Sequence, residues 1–174
     1  LFVRGHAALE SGRRLDALAA YERAIRIAPE LAGDGALRVK VASILDTRDA
    51  VAAVVALELL ATGLRPAAYD EIVAQASNGK IAEVRHRAFA IADRDGFADR
   101  VDRTESWSLD LKQAASCDDR KGAIAKLRST RDRRAISALR QARAQHACVA
   151  REAAAAIEEL EAEASRGAGG AGGS

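Results

Sequence analysis

The sequence is poor in aromatic residues, proline and cysteine, and it contains no methionine. Phe, Trp and Tyr together make up 3% of the 174 residues, and proline and cysteine occur twice each. Runs of alternating β-branched and aromatic residues, which are typical of strands, are almost absent. A core must therefore be built from small and aliphatic side chains, which favours closely packed helices.

Long apolar runs and a strong charge of one sign are also missing. No segment approaches the roughly 18 apolar residues of a spanning helix, and no basic-then-apolar signal opens the chain. The net charge of +2 is too small to argue for nucleic acid or membrane by itself. The sequence therefore predicts no membrane contact. Because it begins at Leu1 within a helical pattern and lacks Met, we expect a fragment of a longer protein.

The first thirty residues predict a helical hairpin. Apolar residues recur at helical spacing on both sides of Gly12, and Pro29 follows the second apolar run, where it would end the helix. The hairpin resembles a tetratricopeptide repeat, in which small residues let the two helices approach and Tyr21 would fill the gap to the next hairpin. The signature positions are Leu1, Gly5, Gly12, Ala17, Tyr21, Ala24 and Pro29.

Helical spacing continues along the chain with one interruption. We assign residues 1–93 to tetratricopeptide-like and degenerate hairpins, 94–104 to a charged loop or boundary, 105–164 to HEAT-like repeats and 165–174 to a flexible Gly-rich tail. In the HEAT-like part, Asp132 would cap a helix and Arg134 would lie along a ladder between repeats. The predicted fold is all-α, a right-handed α-solenoid of stacked hairpins without strands.

The two cysteines occupy equivalent places in two similar phrases, "CDDRKGAIAKL" and "CVAREAAAAIEEL". One interpretation makes Cys117 and Cys148 small buried residues at the starts of helices in adjacent repeats. A second makes them a disulfide, which requires their Cα atoms to approach within about 7 Å. A third adds His146 as a metal ligand, but this site lacks a fourth ligand and C-x-x-C spacing. We therefore predict no metal site and leave the first two interpretations open.

The segment 120–151 is rich in arginine, and the chain after it is rich in glutamate. A basic strip predicts an affinity for the phosphates of nucleic acid or of a phosphorylated partner. No aromatic platform accompanies these arginines, and an acidic last helix would neutralise its neighbour, so nucleic acid is the disfavoured alternative. The residues of this candidate surface are Arg128, Arg131, Arg133, Arg134 and Arg140.

The order of a tetratricopeptide-like hairpin, a degenerate middle and HEAT-like phrases resembles the C-terminal regions of some bacterial transmembrane serine/threonine kinases. The resemblance implies a sensor or scaffold region, lying outside the cytoplasm if the cysteines are bonded and in the cytoplasm otherwise. No kinase motif is present, so we predict no catalytic residue and no cofactor.

The expected function is therefore non-catalytic binding of a protein or peptide along a concave surface. In the N-terminal half, Tyr69 and His86 are the candidate groove residues. A repeat-fold enzyme is a third alternative, but no convergent acid, base and pocket signature supports it.

Overall fold

The computed structural model describes residues 2–169, which form helices joined by turns and loops and contain no strand. Ten α-helices and three short 3₁₀ turns follow one another in this part of the chain, which confirms the predicted all-α class. The chain divides into two compact units between Val101 and Asp102. The division falls inside the stretch 94–104 that we expected to be a loop or boundary.

The first unit consists of three helical hairpins. Each odd-numbered helix packs on the next helix in the chain, and the even-numbered helices also pack side by side, α2 on α4 and α4 on α6. The six helices are α1 (Phe2–Glu10), α2 (Arg14–Ile27), α3 (Gly35–Ala42), α4 (Ala50–Gly63), α5 (Tyr69–Asn78) and α6 (Ala82–Arg94).

Short polar residues and glycine set the ends of these helices. Asp34 accepts hydrogen bonds from the N–H groups of Ala36 and Leu37 at 2.8 and 3.2 Å, which caps α3. The carboxylate of Asp49 caps α4 in the same way. Gly12, at φ 75°, supplies the left-handed residue that the turn after α1 requires.

The core of the first unit is aliphatic and alanine-rich, with Tyr21 as its one fully buried aromatic ring. The ring lies against Gly5, where an added Cβ would overlap with it, and the Tyr21 hydroxyl lies 2.7 Å from Nδ1 of His6. Two of the predicted signature residues therefore meet within one hairpin. At the other end of the unit, the buried Arg85 donates a hydrogen bond to the carbonyl of Gly79 and so fixes the α5–α6 turn.

The second unit consists of four helices, α7 (Arg103–Gln113), α8 (Cys117–Ser129), α9 (Ala135–Gln145) and α10 (Ala150–Gly169). α7 packs on both α8 and α9, and α10 packs on the same two helices. Two hairpins, α7–α8 and α9–α10, are thus stacked on each other. Asp102 and Ser116 cap α7 and α8 through hydrogen bonds from backbone N–H groups three residues later.

Several boundaries differ from the expected ones. α7 begins at Arg103, four residues before Trp107, because Asp102 caps it. Cys148 lies in the 3₁₀ turn Ala147–Val149, ahead of α10. The stretch 94–104 contains buried Phe97 and Val101, which belong to the core of the first unit. Residues 165–169, expected in the tail, belong to α10, and 170–174 lie outside the described residues.

Candidate functional site: the groove between α7 and α9

A groove of about 280 Å³ lies between α7 and α9 in the second unit. Leu109, Ala138 and Ala142 give it an apolar floor. Asp102 at the start of α7 pairs with Arg134 beside the start of α9, and Lys112 near the end of α7 lines the groove together with His146 after the end of α9. The two helices therefore run parallel, and the groove follows their length.

Polar side chains form both edges of the groove. Ser137, Gln141 and Gln145 repeat every four residues along α9, so they stand in a row on one face. Glu105 and Lys112 are seven residues apart on α7, two helical turns, so they also share a face. These edges supply hydrogen-bond donors and acceptors beside an apolar floor, which is the usual composition of a binding site.

An ion-pair network closes the end of the groove where α7 and α9 begin. The guanidinium of Arg134 donates to both carboxylate oxygens of Asp102, at 2.6 and 3.2 Å, and its Nε donates to Asp132 at 2.9 Å. Thr104 donates to Asp132 as well, at 3.0 Å. Hydrogen bonds from Arg134 hold the pKa values of Asp102 and Asp132 below the usual range for aspartate, and the two carboxylates raise the pKa of Arg134.

Residue Asp132 acts differently from the helix cap that we predicted. Its carboxylate accepts the backbone N–H of Arg134 at 2.9 Å, just before α9 begins at Ala135, so it orders the turn that precedes the helix. Arg134 donates to Asp102, which lies 32 positions earlier in the sequence, and its predicted place on a ladder between repeats stays a prediction.

The two cysteines meet at the starts of the second and fourth helices of this unit. Their sulfur atoms are 2.04 Å apart and their Cα atoms 6.2 Å apart, inside the range that a disulfide requires. The bond joins the first residue of α8 to the 3₁₀ turn before α10. With both sulfurs bonded to each other, they are not thiolate ligands, and no group of three His, Cys, Asp or Glu side chains in the described part of the chain is placed to hold a metal ion.

Most arginines of the predicted basic surface face carboxylates. Arg133 is exposed on the turn before α9. The other four pair as follows: Arg128 with Glu159, Arg131 with Glu163 at 3.5 Å, Arg140 with Glu161 at 2.8 Å, and Arg134 with Asp102 and Asp132. A phosphate would have to displace these carboxylates, so the geometry does not favour the nucleic-acid alternative.

The candidate groove residues of the first unit have different surroundings. Tyr69 is half-buried and stacks on Phe97, with ring centroids 4.3 Å apart, so it packs against the core. His86 is exposed on α6. A second furrow of about 450 Å³ follows α1 and α2, with an alanine floor and Arg4, Arg13 and Arg23 at its sides.

Sequence reasoning missed the row of Ser137, Gln141 and Gln145, because arginines dominate that stretch. The available signal was their strict four-residue spacing on a helix whose buried positions, Ala135, Leu139 and Ala142, lie on another face. Comparison with known protein families, with curated proteins and with solved structures finds no match to this chain. Among the helices of residues 2–169, none is both long and apolar enough to cross a membrane.

Proposed function

We propose that this chain is a non-catalytic helical module that binds a protein or peptide segment in the groove between α7 and α9. The observation that supports this function is the groove itself, with its floor of Leu109, Ala138 and Ala142 between two polar edges. Apolar contacts supply affinity at such a surface, and the placed hydrogen-bonding groups supply specificity.

Side-chain bonds between neighbouring hairpins also support the proposal. Side-chain bonds in both units join residues about one hairpin apart: Arg87 and Glu58 are separated by 29 positions, Arg100 and Asp70 by 30, Arg128 and Glu159 by 31, and Arg134 and Asp102 by 32. Bonds within a narrow range of separations are expected where similar hairpins stack, as in tetratricopeptide and HEAT-like repeats. We propose on this basis that the hairpins are repeats of a right-handed α-solenoid.

The place of this module in a larger protein stays a prediction from the sequence resemblance. A sensor or scaffold region of a bacterial transmembrane serine/threonine kinase would use such a groove to recognise a partner. The exposed position of Cys148 and its bond to Cys117 are compatible with the extracytoplasmic location that this resemblance implies.

The test is selection from a displayed peptide library on the full chain, followed by binding of the enriched peptides to two variants. Ala138→Arg fills the groove floor, whereas Ala125→Arg places the same side chain on an exposed position of α8 outside the groove. We expect Ala138→Arg to abolish binding and Ala125→Arg to retain it, with equal helicity of both variants by circular dichroism. Failure to enrich any peptide, or equal binding to both variants, would overturn the proposal.

A further inference from the structure

The α9 edge of the groove offers hydrogen-bonding side chains to the main chain of an extended peptide. Residues four apart on a helix are about 6 Å apart along its axis, so Ser137, Gln141 and Gln145 form a row with this repeat. A peptide in the polyproline II conformation has no internal hydrogen bonds, so its N–H and C=O groups are available to such a row. Its residues repeat three to a turn, with a rise of about 3.1 Å each. A Gln carboxamide both donates and accepts, as a peptide group does, so it bonds main chain without requiring a particular side chain.

The α7 edge carries one charge of each sign. Glu105 lies near the start of α7 and Lys112 near its end, about 10.5 Å apart along the helix axis. Neither side chain has an ion pair or hydrogen bond within the described residues. His146 adds a second basic group at the Lys112 end, whereas Arg134 at the Glu105 end already pairs with carboxylates.

These charges specify the occupant, because three residues of a polyproline II chain span about 9 Å and bring the first and fourth side chains to the same side. We propose that the groove binds a peptide segment in the polyproline II conformation, with a basic and an acidic side chain three residues apart. The basic side chain lies beside Glu105 and the acidic side chain beside Lys112. The two residues between them are small and neutral, since Ala138 and Ala142 leave a shallow apolar floor.

This inference rests on the proposed function and adds to it the chemical class of the ligand. Its test is a nuclear magnetic resonance titration of the isotope-labelled full chain with four capped peptides of equal length. They carry the cores Lys-Ala-Ala-Glu, Lys-Ala-Ala-Lys, Glu-Ala-Ala-Glu and Gln-Ala-Ala-Gln. We expect Lys-Ala-Ala-Glu to bind best, by about threefold to tenfold over the like-charged peptides, with shifts in residues 105–112 and 137–146.

Single charge reversals in the groove should change which of the four peptides binds best. Lys112→Glu leaves carboxylates at both ends of this edge and is expected to favour Lys-Ala-Ala-Lys. Glu105→Lys leaves two cations and is expected to favour Glu-Ala-Ala-Glu. Lys121→Glu, an exposed reversal on α8 outside the groove, is the matched control and keeps the wild-type order.

The outcomes separate the two proposals. Groove shifts of equal size with all four peptides, unchanged by either reversal, would overturn the charge rule and leave the groove as a peptide site. Absence of groove shifts with every peptide would overturn this inference, and an unsuccessful library selection in addition would overturn the proposed function.

Discussion

The two units of the chain are stabilised in different ways. Among its described residues, the first unit buries a continuous cluster of 26 apolar residues, including Tyr21 and Phe97. In the described part of the second unit 13 residues form the buried cluster, almost all of them Ala, Leu and Ile, and the disulfide is added to it. A unit of fewer than about 70–80 residues rarely obtains enough stability from one apolar core, and covalent cross-links are the common supplement. The Cys117–Cys148 bond therefore compensates for the small apolar core beneath the groove.

The largest expected effect comes from removing this bond. Replacing both cysteines by Ala releases a closure between residues 31 positions apart, so the free energy of unfolding of the second unit should fall by roughly 3–4 kcal/mol. Proteolysis followed by mass spectrometry should show that the double variant is cleaved faster than the wild type. The increase should be larger in the second unit, after Asp102, than in the first. Intact mass after alkylation supplies the control: neither cysteine of the wild type should react until a reductant is added. Alkylation without reductant would contradict the bond.

The second largest expected effect comes from disturbing the core packing of the first unit. Gly5→Ala places a methyl group against the buried Tyr21 ring, which its contact with His6 holds in place. Overpacking of this kind should lower the free energy of unfolding by about 1–3 kcal/mol in thermal or denaturant unfolding. An unchanged or raised stability would show that the first hairpin is packed more loosely than described.

A glycine-to-alanine substitution in the second unit should instead raise the free energy of unfolding. Gly122 lies within α8, where an added Cβ meets no atom within 4 Å. Gly122→Ala should therefore raise the free energy of unfolding by roughly 0.5–1 kcal/mol, because alanine favours a helix interior over glycine. A decrease in the free energy of unfolding, measured by denaturant titration, would indicate that a neighbouring chain or element packs against this face of α8.

The smallest effect tests the network at the start of the groove. Asp102→Asn keeps a capping side chain but removes the charge that faces Arg134, so stability at neutral pH should fall by about 0.5 kcal/mol. Arg134 lowers the pKa of Asp102 in the folded protein, so this contribution is complete above the ordinary aspartate pKa of 3.8. It is lost as the pH falls through the lowered value. Unfolding curves of the wild type and Asp102→Asn should therefore converge in acid, and a constant difference would contradict the assignment.

Local sequence patterns allowed the helices to be predicted, but the contacts between hairpins could be predicted only in part. Gly5, Gly12 and Tyr21 marked the first hairpin because helix packing and a tight turn need those residue types. The matched positions of Cys117 and Cys148 indicated proximity but left buried residues and a disulfide as alternatives, since helices usually pack about 8–10 Å apart. The start of α7 was missed because the cap at Asp102 lies in a charged stretch without apolar periodicity.

The candidate site was harder to predict from the sequence than the fold. Arg128, Arg131 and Arg140 indicated a cationic surface in the sequence, whereas the structure sets each of them against a glutamate of α10. The partner of a long charged side chain depends on which helices become neighbours, and residue spacing does not determine this. The four-residue spacing of Ser137, Gln141 and Gln145 is present in the sequence, but their role as one edge of a groove depends on α7, which forms the opposite edge.

The central claim is that the α7–α9 groove is the binding surface, and site-specific photocross-linking tests it most directly. A photoreactive amino acid is placed at Gln141 on the groove edge or, as the matched control, at Lys121 on α8, and each protein is irradiated with the enriched peptides. The account predicts a peptide adduct at position 141 and none at position 121. Equal labelling of the two positions, or labelling at 121 alone, would contradict it.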